Sequence, residues 1–141
     1  MIILALSCGI ALTTCGKVND VNELEGNYVG TYTWTNLSRD ASWTWSSTPT
    51  IELKEEKYTY KGLSDNAYYD SGYGNFTIKG NKIIFELTYY PIPMEDIGVV
   101  DEWLLQGEYK YKFDGNKLIF SKTSTVFGER YKYEFEFKRN K

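Results

Sequence analysis

The chain has 141 residues, enough for one domain with a single hydrophobic core. Its formal net charge of −3 argues against nucleic acid as a partner, and the absence of histidine removes both the commonest metal ligand and every Ser-His or Cys-His nucleophile arrangement. Aromatic residues make up 17% of the sequence, with 13 Tyr, while the helix formers Ala, Leu and Met are sparse, a composition that favours strands.

The N-terminal run from Ile2 to Leu12 is apolar and uncharged. It is too short to span a bilayer as a helix and suits the hydrophobic region of a signal peptide. Leu12-Thr13-Thr14-Cys15 then resembles a bacterial lipobox, in which cleavage precedes a cysteine that becomes lipidated. On that reading residues 1–14 are a signal peptide, Cys15 carries the lipid, and residues 15–24 form the anchor and a polar tether. Gly16 after the cysteine, by analogy with other lipoproteins, points to the outer membrane. A Cys8–Cys15 disulfide would close only a tiny loop inside the apolar segment. The remaining alternative is a buried N-terminal strand.

From Gly26 onward the apolar period is two. "NYVGTYTWT" puts Tyr28, Gly30, Tyr32 and Trp34 on one face, and "SWTWS" adds Trp43 and Trp45. "TIELKEEKYTYKG" reads as two strands joined at Glu55-Glu56, with Ile51 and Leu53 answering Tyr58 and Tyr60. "GYGNFTIKGNKIIFELTYY" is a second hairpin carrying Phe76 and Phe85 inward. Residues 94–103 follow Pro91 and Pro93 and read as a long loop or a helical turn. "WLLQGEYKYKFDGNKLIFSK" is a third hairpin. In it Gly115, Asn116, Lys117 and Ile119 repeat Gly80, Asn81, Lys82 and Ile84, 35 positions on. Apolar residues face each other here only across an even loop. A two-residue turn pairs Tyr111 with Leu118; a four-residue turn pairs Phe113 with Leu118. Both put Tyr109, Tyr111 and Phe120 inward and leave Ile84 and Ile119 outside. The last strand sets Tyr131, Tyr133, Phe135 and Phe137 against Lys132, Glu134, Glu136 and Lys138, one dry face and one wet. About eight antiparallel strands with short turns form an up-and-down meander, which avoids bare edges most simply by closing into a barrel.

With Gly26-x-Tyr28 where lipocalins carry Gly-x-Trp, and Arg130 or Arg139 on the last strand to lie across that ring, residues 24–138 resemble the lipocalin-like, or calycin, barrel lipoproteins of Bacteroidota. The resemblance implies an eight-stranded barrel over residues 25–141 that holds a small apolar or amphipathic ligand. Tyr28, Tyr32, Tyr58, Tyr60, Tyr109, Tyr111 and Tyr133 are the candidate lining, unless such rings simply fill the interior. Trp34, Trp43 and Trp45 flank the loop "TNLSRDAS" and offer a second function, a surface for a glycan or an envelope protein; the alternative is that they plug one barrel end. Asp65, Asp70, Glu95, Asp96, Asp101 and Glu102 lack the spacing of a calcium loop and read as solvated carboxylates. No metal, cofactor or catalytic residue is expected, and the expected partners are a membrane through the lipid anchor and a small apolar ligand.

Overall fold

The computed structural model describes residues 20–38, 43–64, 71–90 and 104–141. Cys15, the proposed signal peptide, residues 94–103 and all six loop carboxylates lie outside the described residues. A 3₁₀ turn at Val21–Leu24 is followed by β1 (Gly26–Asn36), β2 (Trp43–Ser47), β3 (Thr50–Lys54), β4 (Lys57–Lys61), β5 (Ser71–Lys79), β6 (Lys82–Tyr89), β7 (Gly107–Phe113), β8 (Lys117–Val126) and β9 (Glu129–Arg139).

Every strand pairing is antiparallel, and β1 pairs with β9 to close the sheet into a barrel. Strands β2 and β3 share one position in that barrel. Tyr32–Asn36 of β1 pair with β2 and Gly26–Val29 pair with β3. Between them the Gly30 N–H donates to the Pro49 carbonyl at 3.2 Å. Proline has no N–H to give a ladder, so it interrupts what is otherwise one bent strand. The closed sheet therefore has eight positions, as the meander predicted.

Gly30 is where β1 changes partner, and the reason for glycine is steric. A Cβ there would lie 2.0 Å from the Glu136 carbonyl oxygen and 2.7 Å from Phe137 Cα, so the β1 and β9 backbones could not approach as they do.

The registers confirm the parity argument and choose the turn. Leu53 faces Tyr58 and Ile51 faces Tyr60 across Glu55-Glu56. In the third hairpin Phe113 pairs with Leu118 and Tyr111 with Phe120, the four-residue choice. The Asp114 carboxylate decides it: its Oδ1 accepts from the Asn116 N–H at 2.9 Å and the Lys117 N–H at 2.7 Å. Those bonds favour the charged form and hold the Asp114 carboxyl below its ordinary range. In the other copy Lys79 pairs with Lys82, and only Gly80 of the two turn residues has positive φ, as a type II′ turn requires. The two inner faces correspond residue for residue.

The interior is built in aromatic layers. Tyr32 stacks on Phe135 (4.5 Å between ring centroids), Phe135 on Phe120 (4.6 Å), and Phe120 lies 5.3 Å from both Tyr109 and Phe85. Tyr58 meets Phe85 edge-on at 4.9 Å. These rings are buried throughout, and their offset and edge contacts are the favourable geometries for aromatic pairs. On β5 the inward position 72 is glycine because the Tyr60 ring lies over it, leaving only 2.7 Å to a would-be Cβ.

One pole of the barrel is closed. Leu24 is fully buried there and accepts the Tyr28 hydroxyl at 2.7 Å. Of the two arginines considered, Arg139 lies over the Tyr28 ring, 5.5 Å from its centroid. Its guanidinium donates to Tyr28 Oη (3.0 Å), Glu23 O (2.6 Å) and Gly115 O (3.1 Å), tying the entering chain, β1 and the β7–β8 turn together. Arg130 sits at the opposite end of β9.

Candidate functional site at the far pole

The strand ends that bound residues 39–42, 65–70 and 91–103 all lie at the other, far pole. There buried Leu63, Leu104 and Leu105 cover the interior, and β2, β1, β9 and β8 run on as a four-stranded extension. Its inward side chains form rows set by register. The lower row is Trp45, Trp34, Tyr133 and Lys122; the upper row is Trp43, Asn36, Tyr131 and Ser124.

The three tryptophans divide by burial. Trp45 meets Tyr32 edge-on at 6.0 Å and caps the core. Trp34 is half-buried, stacked on Tyr131 and edge-on to Trp43, each at 5.0 Å. Trp43 is 55% exposed. Plug and surface are therefore both present in one cluster: Trp34 and Trp45 pack inward, while Trp43 faces solvent.

Polar contacts hold this platform in shape. Glu129 Oε2 accepts from Asn36 Nδ2 at 3.1 Å and from the Tyr131 hydroxyl. The Leu37 N–H donates to the Arg130 carbonyl at 2.8 Å, and the Arg130 N–H to Ser38 Oγ at 2.7 Å. Beneath it the Lys122 ammonium lies over the Tyr109 and Tyr133 rings, 4.7 and 5.2 Å from their centroids, and donates to the Gln106 carbonyl at 2.8 Å. A lysine facing inward is tolerated because rings and a carbonyl replace its water.

Sequence reasoning missed the most exposed element. Val126 faces Glu129 across a two-residue turn whose central residues, Phe127 and Gly128, both have positive φ (49° and 80°). That is the type I′ combination, which favours Asn-Gly, and a bulky residue in its first position is strained. Phe127 is nonetheless 90% exposed. The signal was in "TVFGER", where an apolar ring stands before the turn glycine. Leu37 (43% exposed) is at the same pole, and on the barrel's outer wall near it Tyr73 and Tyr89 stack at 5.0 Å, each about half exposed.

The seven candidate tyrosines lie inside the barrel, spread over its whole length. Tyr28 belongs to the closed pole. Tyr58 donates to the Leu105 carbonyl at 2.6 Å, and Tyr111 to the Gly80 carbonyl at 3.5 Å. Tyr32, Tyr60, Tyr109 and Tyr133 are buried, the last two beneath Lys122. Burial pushes the Tyr58 and Tyr60 hydroxyls far above the ordinary phenol range, and it raises Tyr28 against the pull of Arg139. Such phenols stay protonated; they donate hydrogen bonds and are poor bases. Among the described residues no group of three acidic or cysteine side chains is placed to hold a metal ion.

Neither a protein-family model nor a curated protein matches the sequence. Among solved structures the chain is similar to a vaccine antigen, Transferrin Binding Protein B of Haemophilus parasuis Hp5, with a TM-score of 0.47 and 11% identity. The match covers 84% of this chain and 27% of that one, so the chain spans about a quarter of the antigen's length.

Proposed function

We propose that this protein is a non-catalytic, lipid-anchored module of the cell envelope, related to the lipocalin-like barrels, that binds an envelope protein through its far pole. The observation that carries the reading is the placement of exposed apolar side chains. Phe127, Trp43 and Leu37 project from one hydrogen-bonded platform, at the pole opposite the one where the N-terminal chain enters. Exposed aromatic anchors on a rigid base are the usual centre of a protein interface. The small-ligand reading is ranked second because stacked rings occupy the middle of the barrel, where a lipocalin-type ligand would sit. The lipobox supports the anchor, and with Gly16 it supports an outer-membrane address.

Phe127→Asn separates this function from stability. Asparagine tolerates the left-handed backbone, so the variant is expected to gain about 1 kcal/mol and melt a few degrees higher. The same variant, alone or with Trp43→Ala, should lose a stoichiometric protein that co-purifies from detergent-solubilised envelopes. Ile119→Ala, at the other end, should keep it. A partner retained by Phe127→Asn/Trp43→Ala would overturn the reading.

A further inference from the structure

The outer wall near the closed pole has a charge pattern that the far-pole reading does not use. Lys79 stands directly opposite Lys82, Lys82 opposite Lys110, and Lys117 opposite Lys138. Like charges facing each other across strands are destabilising, so this arrangement opposes folding rather than helping it. These three pairs lie on β5–β9 and a fourth, Lys54 opposite Lys57, on β3–β4, in a chain whose net charge is −3. Carboxylates offset it in part: Glu108 pairs with Lys82 and Glu136 with Lys117, both at 2.5 Å and both well exposed, so these pairs are weak, and Asp114 adds its charge beside Lys117.

Two exposed aliphatic side chains lie among the lysines. Ile119 (38% exposed) faces Lys112, and Val29 (47% exposed) faces Lys138. Of the exposed large hydrophobics among the described residues, these are the two not found toward the far pole. Basic residues interleaved with isolated aliphatics suit a layer of anionic headgroups over hydrocarbon. The chain's own path agrees. The segment leading back to Cys15 joins the barrel beside this wall at Glu23, whose carbonyl accepts from Arg139, next to Lys138 on β9, at 2.6 Å.

We propose that the lysine-bearing wall of β5–β9 next to the closed pole docks on an anionic lipid surface. The barrel then rests against the bilayer beside its N-terminal attachment, with the far pole turned away. The proposal rests on the envelope reading only for its setting; the contact is read from the lysines.

The test is flotation of the full chain with phosphatidylcholine vesicles, with and without phosphatidylglycerol. The wild type is expected to favour the anionic vesicles strongly at low salt and to lose that preference as salt screens it. Lys79→Gln/Lys82→Gln/Lys110→Gln should reduce the anionic-to-neutral partition ratio about a hundredfold, from the loss of three headgroup contacts. The matching triple Lys→Arg variant should keep it. Equal partition of the wild type into both vesicles, or a glutamine variant that retains the preference, overturns the proposal. Phe127→Asn should leave the ratio unchanged, so failure of this contact and failure of the far-pole reading are told apart.

Discussion

Phe135→Ala is expected to destabilise the barrel by about 3–5 kcal/mol, measured as a fall in the urea midpoint at unchanged slope. Phe135 is the hub of the interior. It stacks on Tyr32 at 4.5 Å and Phe120 at 4.6 Å, and lies 5.8 Å from Tyr109 and 6.0 Å from Phe137. Removing the ring opens a cavity that cannot collapse, because its neighbours sit on β1, β7, β8 and β9 and the closed sheet holds those strands apart. A loss below about 1 kcal/mol would mean that the rings do not form one packed core.

Gly30→Ala should be comparably severe for a different reason, at about 3 kcal/mol or more, although it adds a single methyl group. That methyl meets backbone, the Glu136 carbonyl at 2.0 Å and Phe137 Cα at 2.7 Å, and neither can rotate away. The β1–β9 pairing closes the barrel, so the strain falls on closure itself. Circular dichroism in the aromatic region should show loss of fixed ring packing before strand content is lost. A variant as stable as the wild type would show that β1 and β9 can separate at Gly30 without loss.

Much of this fold was legible because a strand's inner face is a matter of parity. Once Tyr131–Phe137 alternated cleanly with charge, the inward positions of the other strands followed, and all of Tyr28, Tyr32, Tyr58, Tyr60, Phe76, Phe85, Tyr109, Tyr111, Phe120, Tyr133 and Phe135 are buried. The length of the third turn was not legible, since Asp-Gly chemistry and side-chain matching pointed to different loops. The structure sides with matching because the Asp114 carboxylate satisfies two N–H groups of the longer loop. That β2 and β3 are one strand broken at Pro49 was also hidden, because a proline between two alternating runs reads as a boundary.

The site was less legible than the fold. Sequence placed Trp34, Trp43 and Trp45 together but could not say which ring faces water; Trp34 and Trp43 share an inward parity with the core, and only the extension of four strands beyond the barrel leaves Trp43 exposed. Phe127 escaped notice because an exposed ring at a strained turn breaks the local rule for that position. The outer Ile84 and Ile119 do not form a single patch. Strand β7 runs between them with Glu108 opposite Ile84 and Lys112 opposite Ile119.

The central claim is that the aromatic interior is structural and that binding belongs to the far pole. Native mass spectrometry of the protein purified gently from its producing cells tests it most directly. The account predicts no stoichiometric small molecule retained within the barrel. A small apolar molecule that stays bound one to one, and remains so in Phe127→Asn/Trp43→Ala, would contradict it.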